Sequence, residues 1–252
     1  MAQHRGPEHV EADDLHRRLQ RAVNELPMAA LQARNISDAT KFFEEVEKQH
    51  PYSAIAPQAE IMDAYAYYRG NRYDEAVSAI DHFLDLHPGN KDAAYAYYLK
   101  ALCYYEQIAD VRRDQKMTQD ALAALQEVVD RFPGTPYARD AVLKIDLSRD
   151  HLAGKEMEIG RWYEGQQEWL AAINRFRTVV EKYQTTSHVP EALERLTECY
   201  LALGVTDEAQ TAAAVLGYNY PGSSWYQASY ELLKAKNLKP EEKSGSWLTN
   251  VF

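Results

Sequence analysis

The sequence predicts an all-α fold, a solenoid of about five stacked helix pairs closed by a C-terminal capping helix. Three observations carry this expectation. Gly160, Tyr163, Ala172 and Phe176 have the spacing of two short helices packed back to back. The markers of that pair also recur in step. Ala76 follows Ala39 by 37 residues and Pro88 follows Pro51 by the same 37. Ala121 and Pro133 both lie 45 further on, while Tyr200 and Ala209 follow Tyr163 and Ala172 by 37. Finally, the 11 Gly and 10 Pro sit mostly at punctuation points, which suits helices with tight turns better than sheet.

The unit reads most clearly from Ile159 to Val180, IGRWYEGQQEWLAAINRFRTVV. Ile159-Gly160, Tyr163, Ala172 and Phe176 match L-G-x-x-Y followed by A-x-x-x-F, the tetratricopeptide (TPR) pattern. Small residues at Gly160 and Ala172 let two backbones approach, and Tyr163 and Phe176 fill the space beside them. The motif identifies a binding scaffold and not, by itself, a function.

Residues 1–22 are polar, with His4, His9 and His16 scattered among acids and arginines, and disorder is expected there. An N-terminal half, 23–133, follows with three repeats. The first is degenerate. Its second helix, Ser37 to His50, carries Ala39, Phe43 and Val46, starts on a Ser37 or Asp38 cap and stops at Pro51. Its first helix, Val23 to Ala33, has Pro27 in the small-residue position and Ala30 where Tyr belongs. Proline inside a helix costs about 3 kcal/mol, so that helix is expected short or broken. The second repeat is cleaner, with Ala64, Tyr67, Ala76, Ile80, Phe83 and Pro88. Gly70-Asn71 makes its turn, and Asp74-Glu75 starts the second helix where negative charge suits the dipole. The third gives Ala101, Tyr104, Ala121, Leu125, Val128 and Pro133, with a polar insertion from Ile108 to Thr118 expected to project as a loop or an extra turn.

The C-terminal half, 134–235, opens with an unusually long helical run, Tyr137 to Glu164, roughly 40 Å if unbroken. Gly154 is its weak point, and the run is expected to join the two halves as a strut. The last repeat carries Leu196, Tyr200, Ala209, Ala213, Leu216 and Pro221, and Ser223 or Ser224 caps a final helix through Leu233. Residues 236–252 return to a polar tail containing Trp247, Leu248, Val251 and Phe252.

Charge and chemistry narrow the function. A net charge of −10 lacks the basic footprint of a nucleic-acid binder, so no nucleic acid is expected as a partner. The one basic cluster, Arg112, Arg113 and Lys116, lies among Asp110 and Asp114 and reads as a solvated loop. Cys103 and Cys199 have no disulfide or zinc spacing, and each precedes the tyrosine of its repeat, a core position. His82 and His87 are five apart and point to different faces, so no metal site is expected. Glu44, Glu45 and Glu47 form a wet helix face. No phosphate loop, nucleophile elbow or metalloprotease motif occurs, so no catalytic residue, no cofactor and no enzyme are expected. No stretch is apolar enough to serve as a signal-peptide core or to span a bilayer.

The aromatic stripe is the strongest binding feature. Tyr65-Ala66-Tyr67-Tyr68 and Tyr95-Ala96-Tyr97-Tyr98 repeat one tetrapeptide on successive first helices, the helices that line the concave face of a TPR solenoid. Tyr67 and Tyr97 fall on core register. Tyr65, Tyr68, Tyr95 and Tyr98 are the groove candidates, because tyrosine offers apolar area plus one hydrogen bond to an extended peptide.

The stretches FFEEVEKQHPYS (42–53), MDAYAYYRGNRYDEA (62–76), AYAYYLKALCYYEQI (94–108), YARDAVLKIDLSRDHLAGKEMEIGRWY (137–163), AAINRFRTVVEKYQTT (171–186) and VPEALERLTECYLALG (189–204) resemble the BamD (ComL/YfiO-type) family of outer-membrane assembly lipoproteins. The resemblance covers about 37–235 and includes both irregular spacings and the long connecting helix. It implies a periplasm-facing, non-enzymatic TPR lipoprotein of the β-barrel assembly machinery. The implied partners are BamA, other Bam subunits and unfolded β-barrel proteins, the last received in the N-terminal groove. In the family an arginine in an Asn-Arg pair on the second helix of the fourth repeat contacts the last POTRA domain of BamA, which implies Asn174 and Arg175 here. The family's acylated cysteine has no counterpart, since Cys103 and Cys199 fall inside predicted helices, so membrane contact is expected only through a lipid anchor missing from this sequence. The alternative reading is another TPR adaptor, of the cell envelope or the cytosol.

Overall fold

The computed structural model describes residues 36–110 and 114–251. Among them ten α-helices and a short 3-10 turn follow one another without a strand. They are α1 (Ile36–Gln49), α2 (Ala56–Arg69), α3 (Tyr73–Leu86), α4 (Ala93–Tyr105), α5 (Lys116–Arg131), α6 (Pro136–Gly165), α7 (Trp169–Lys182), α8 (Val189–Leu203), α9 (Thr206–Asn219) and α10 (Ser224–Ala235), then the turn Trp247–Asn250. Helices adjacent in sequence pack in antiparallel pairs, the TPR-like architecture that the recurring Ala and Tyr predict. Residues 1–35, with the expected disordered leader and broken first helix, lie outside the described residues, as do Arg112 and Arg113.

The described chain divides into two compact units, 36–108 with Gln119–Val142, and Ala109–Thr118 with 143–251. In the first unit, α1 buries Ala39, Phe43 and Val46 against Ile55, Ala59 and Ala66 of the following segment. The spacing of those three puts them on one stripe of the helix. Ile36, the first described residue, is already helical, so Ser37 and Asp38 lie within α1 instead of capping it. The Ser37 carbonyl there accepts the Thr40 hydroxyl at 3.2 Å. Ala76, Ile80 and Phe83 of α3 meet Ala64 of α2 and Ala96, Leu99 and Cys103 of α4. The α2–α3 turn is made as expected, but its left-handed residue is Asn71 (φ 58°), a conformation asparagine tolerates. Gly70 makes room instead, since a Cβ there would stand 3.1 Å from Ile36.

The second unit has one continuous core, from Ala153 and Met157 of α6 through Phe176, Leu196 and Leu216 to Leu233 and Leu248. Gly160 of α6 faces Phe176 of α7, the close approach that the repeat motif requires. Helix α6 runs unbroken through Gly154, which is buried. Ser223 caps α10 by accepting the Trp225 N–H at 3.1 Å. Of the insertion, expected as a projecting loop or an extra turn of helix, residues 116–118 form the first turn of α5 and Gln115 is held against α6. Gln115 Oε1 lies 3.1 Å from His151 Nδ1 of α6 and accepts the Thr118 hydroxyl at 3.1 Å. Both cysteines are free and buried, and burial pushes their thiols up, that of Cys103 to about 12. Neither is a nucleophile at neutral pH.

Candidate functional site

In the first unit the four groove tyrosines come together, each partly buried. Tyr65 stacks on Tyr68 with centroids 6.3 Å apart, and Tyr68 meets Tyr73 at 6.0 Å. Tyr95 and Tyr98 both pack on Tyr137, at 5.6 and 5.4 Å. Burial, then the neighbouring Tyr65, Tyr137 and Tyr68, raise the Tyr95 phenol, so the two pairs share one environment. The Tyr98 hydroxyl donates to Asp140 and that of Tyr68 to Glu106 at 3.4 Å. The result is an aromatic surface whose hydroxyls are held by carboxylates. Sequence reasoning found its four tyrosines but missed Tyr137 and Asp140, which come from α6. Tyr67 and Tyr97, expected in the core, are only half-buried; each lies under an arginine, Arg72 at 4.6 Å and Arg131 at 4.8 Å.

In the second unit Phe176 is buried, which turns Asn174 outward. Arg175 is 41% exposed and its guanidinium donates to Glu156 at 3.1 Å, so it is presented at a fixed place and not left loose. A cleft of about 250 Å³ opens beside it, lined by Tyr163, Ala171, Asn174, Arg175 and Thr178. A second of about 330 Å³ shares Tyr163 and runs along Ile159 and Trp162. Trp162 is 61% exposed, a large aromatic left in water. Tryptophan and arginine are the residue types enriched at the energetic centres of protein interfaces. The sequence contains Trp162 but gives no sign of its exposure.

An ion network joins α6 to α8 in this unit. Arg195 of α8 lies 3.3 Å from Glu164, 3.4 Å from Glu198, 3.6 Å from Glu194 and 3.7 Å from Glu191. Acid exceeds base, and Glu194 is buried with Oε2 lacking a hydrogen bond. Burial raises its carboxyl to about 7, against the pull of Arg195. In the first unit burial, with Glu44 and Glu47 nearby, raises Asp63 to about 7 as well. No metal-holding cluster occurs among the described residues. His82 and His87 diverge, toward Glu47 at 4.0 Å and Glu60 at 3.3 Å.

The polar tail is a packed strap. Trp247 Nε1 donates to the Tyr200 hydroxyl at 2.9 Å, Arg177 lies 4.2 Å from the indole, and Leu248 is fully buried.

Paired helices that present aromatic and arginine side chains on their surfaces define a helical-repeat scaffold. The chain belongs to the YfiO outer membrane lipoprotein family, whose profile matches residues 21–216. A Caulobacter vibrioides relative is 55% identical over 206 residues, 82% of this chain and 68% of its own length. A Rickettsia prowazekii relative is 50% identical over 204 residues, 81% of both chains, and one from Neisseria meningitidis serogroup A is 33% identical over 211, covering 80% and 79%. Each is named outer membrane protein assembly factor BamD. This is a family of non-enzymatic assembly factors, which agrees with the absence of catalytic motifs from the sequence.

Proposed function

We propose that this chain is a docking subunit of the machinery that assembles and inserts β-barrel proteins into the outer membrane. It works on the periplasmic face, held there by a lipid anchor. In this reading Asn174 and Arg175 receive a POTRA domain of BamA, with Trp162, on the cleft that shares Tyr163, as an apolar anchor. Tyr65, Tyr68, Tyr95 and Tyr98 receive unfolded barrel strands, whose backbone amides find the phenol oxygens and whose apolar side chains find the rings. The observation that supports it is Arg175, tethered by Glu156 at the mouth of a cleft in a member of an assembly-factor family. An arginine so placed meets a partner carboxylate at little entropic cost. The experiment replaces the chain in its own cells by the Arg175→Glu variant. BamA should no longer co-purify while the variant's circular dichroism is unchanged, and undiminished co-purification would remove Arg175 from the interface.

A further inference from the structure

The strap is bound as a peptide is bound. Gln210 Nε2 of α9 donates to the Lys239 carbonyl at 2.8 Å, and the Glu241 N–H donates to the Gln210 carbonyl at 3.3 Å. The Lys243 N–H donates to Thr211 Oγ1 at 3.0 Å, and Ser246 Oγ donates to Glu208 at 2.6 Å. Gln184 Nε2 reaches the Val251 carbonyl at 3.4 Å. Glu241, Glu242, Ser244 and Gly245 stay exposed, so over that stretch the helices grip main chain and ignore side chains. Specificity is confined to one end, where Trp247 enters between Arg177 and Tyr200 and Leu248 is buried. Main-chain bonds for affinity plus pockets for a few side chains is the usual division of labour in peptide recognition.

The groove is also larger than its present contents. A cavity of about 450 Å³ remains beside the strap, between Val215 and Tyr218 of α9 and Leu248 and Thr249, and Tyr218 is 88% exposed at its edge. The family-wide match ends at residue 216, before the strap begins. We propose that the α7–α9 surface is a docking groove for an extended segment of a partner, carrying adjacent aromatic and aliphatic side chains, and that residues 239–251 fill it in cis as a displaceable strap. The unfilled cavity lets a bulkier aromatic from the partner outcompete Leu248 and Thr249. A tethered ligand acts at an effective concentration of about 1 mM, so a groove of about 10 μM intrinsic affinity looks about 100-fold weaker while the strap is in place.

The test uses a fluorescently labelled peptide of residues 239–252 and two full-length proteins, the natural chain and the Trp247→Ala/Leu248→Ala variant. Anisotropy should show saturable binding to the variant, at least about tenfold tighter than to the natural chain, because the competing tether is weakened. Equal binding to both, or none to a variant of unchanged helicity, overturns the proposal. Should the variant lose helicity, hydrogen exchange on the natural chain decides. The Glu241, Lys243 and Leu248 amides should exchange at least about tenfold faster than those of α9, as a separately opening segment does. A common rate would make the strap a fixed part of the core and end the idea.

Discussion

Gly160→Ala is the sharpest probe of the helix-pair geometry on which both surfaces rest. A Cβ built at Gly160 stands 2.4 Å from Phe176 Cε1, 2.8 Å from Cδ1 and 2.9 Å from Cζ. Comfortable carbon contacts are about 3.5–4.0 Å, so the ring must retreat by about 1 Å. Phe176 is fully buried among Ala153, Met157 and Val180, and it has nowhere to go. Overpacking of this kind costs about 1–3 kcal/mol, and three clashing ring atoms place it at the upper end. Helix propensity works in the opposite direction, since alanine is better than glycine by about 1 kcal/mol. The net is a loss of about 2 kcal/mol, which for a unit of this size lowers Tm by about 6–10 °C. Thermal and urea melts followed by circular dichroism read it. Gly165→Ala is the control, at the open end of the same helix where a Cβ meets nothing within 4 Å. Adding Phe176→Leu to Gly160→Ala should recover part of the loss. A Gly160→Ala protein as stable as its parent would mean that α6 and α7 do not approach here, and the motif reading would fail.

Other perturbations reach further parts of the chain. Ala76 is fully buried between α2 and α4, so Ala76→Phe should destabilise the first unit by about 1–3 kcal/mol, read by the same melts. Glu194 holds its proton up to about 7 when folded, against 4.5 for an unperturbed glutamate, so the folded state binds more protons between those values and stability falls as pH rises through that window. Glu194→Gln should flatten the dependence of Tm on pH from 5 to 8 and raise Tm most at pH 8; an unchanged slope would mean that the carboxyl is already ionised at pH 5. Tyr65→Ala with Tyr68→Ala should weaken binding of a C-terminal barrel-strand peptide by tenfold or so, since each aromatic contact is worth about 0.5–1.5 kcal/mol beyond area. Unchanged affinity in a titration would reduce those tyrosines to packing.

The helices were legible because each repeat writes its packing into a few obligatory positions. Ala76, Ala121, Ala172 and Ala209 are all fully buried, as small residues must be where two helix axes come close. The aromatic patch was half legible. Its tyrosines recur within one tetrapeptide, but Tyr137 and Asp140 reach it from another helix, and nothing local marks them. The tether on Arg175 is hidden for the same reason, since Glu156 lies 19 residues away on the preceding helix. The polar insertion reads as a loop or an extra turn, and nothing local marks that Gln115 meets His151 across 36 residues. Where the strap docks is not legible in the sequence because its grip is on main chain, which composition does not register; only Trp247 and Leu248 hint that the tail packs at all. Exposure of Trp162 was invisible because an aromatic residue in a repeat is ordinarily core.

The most direct measurement is a calorimetric titration of a purified BamA POTRA fragment into the natural chain, the Arg175→Glu chain and the Tyr65→Ala/Tyr68→Ala chain. The natural and tyrosine-altered proteins should bind with equal affinity. Arg175→Glu should lose at least about 2 kcal/mol, the order expected for leaving a charge pair unmade and reversed at an interface centre. Equal affinity for all three, or a loss confined to the tyrosine variant, would contradict this placement of the interface.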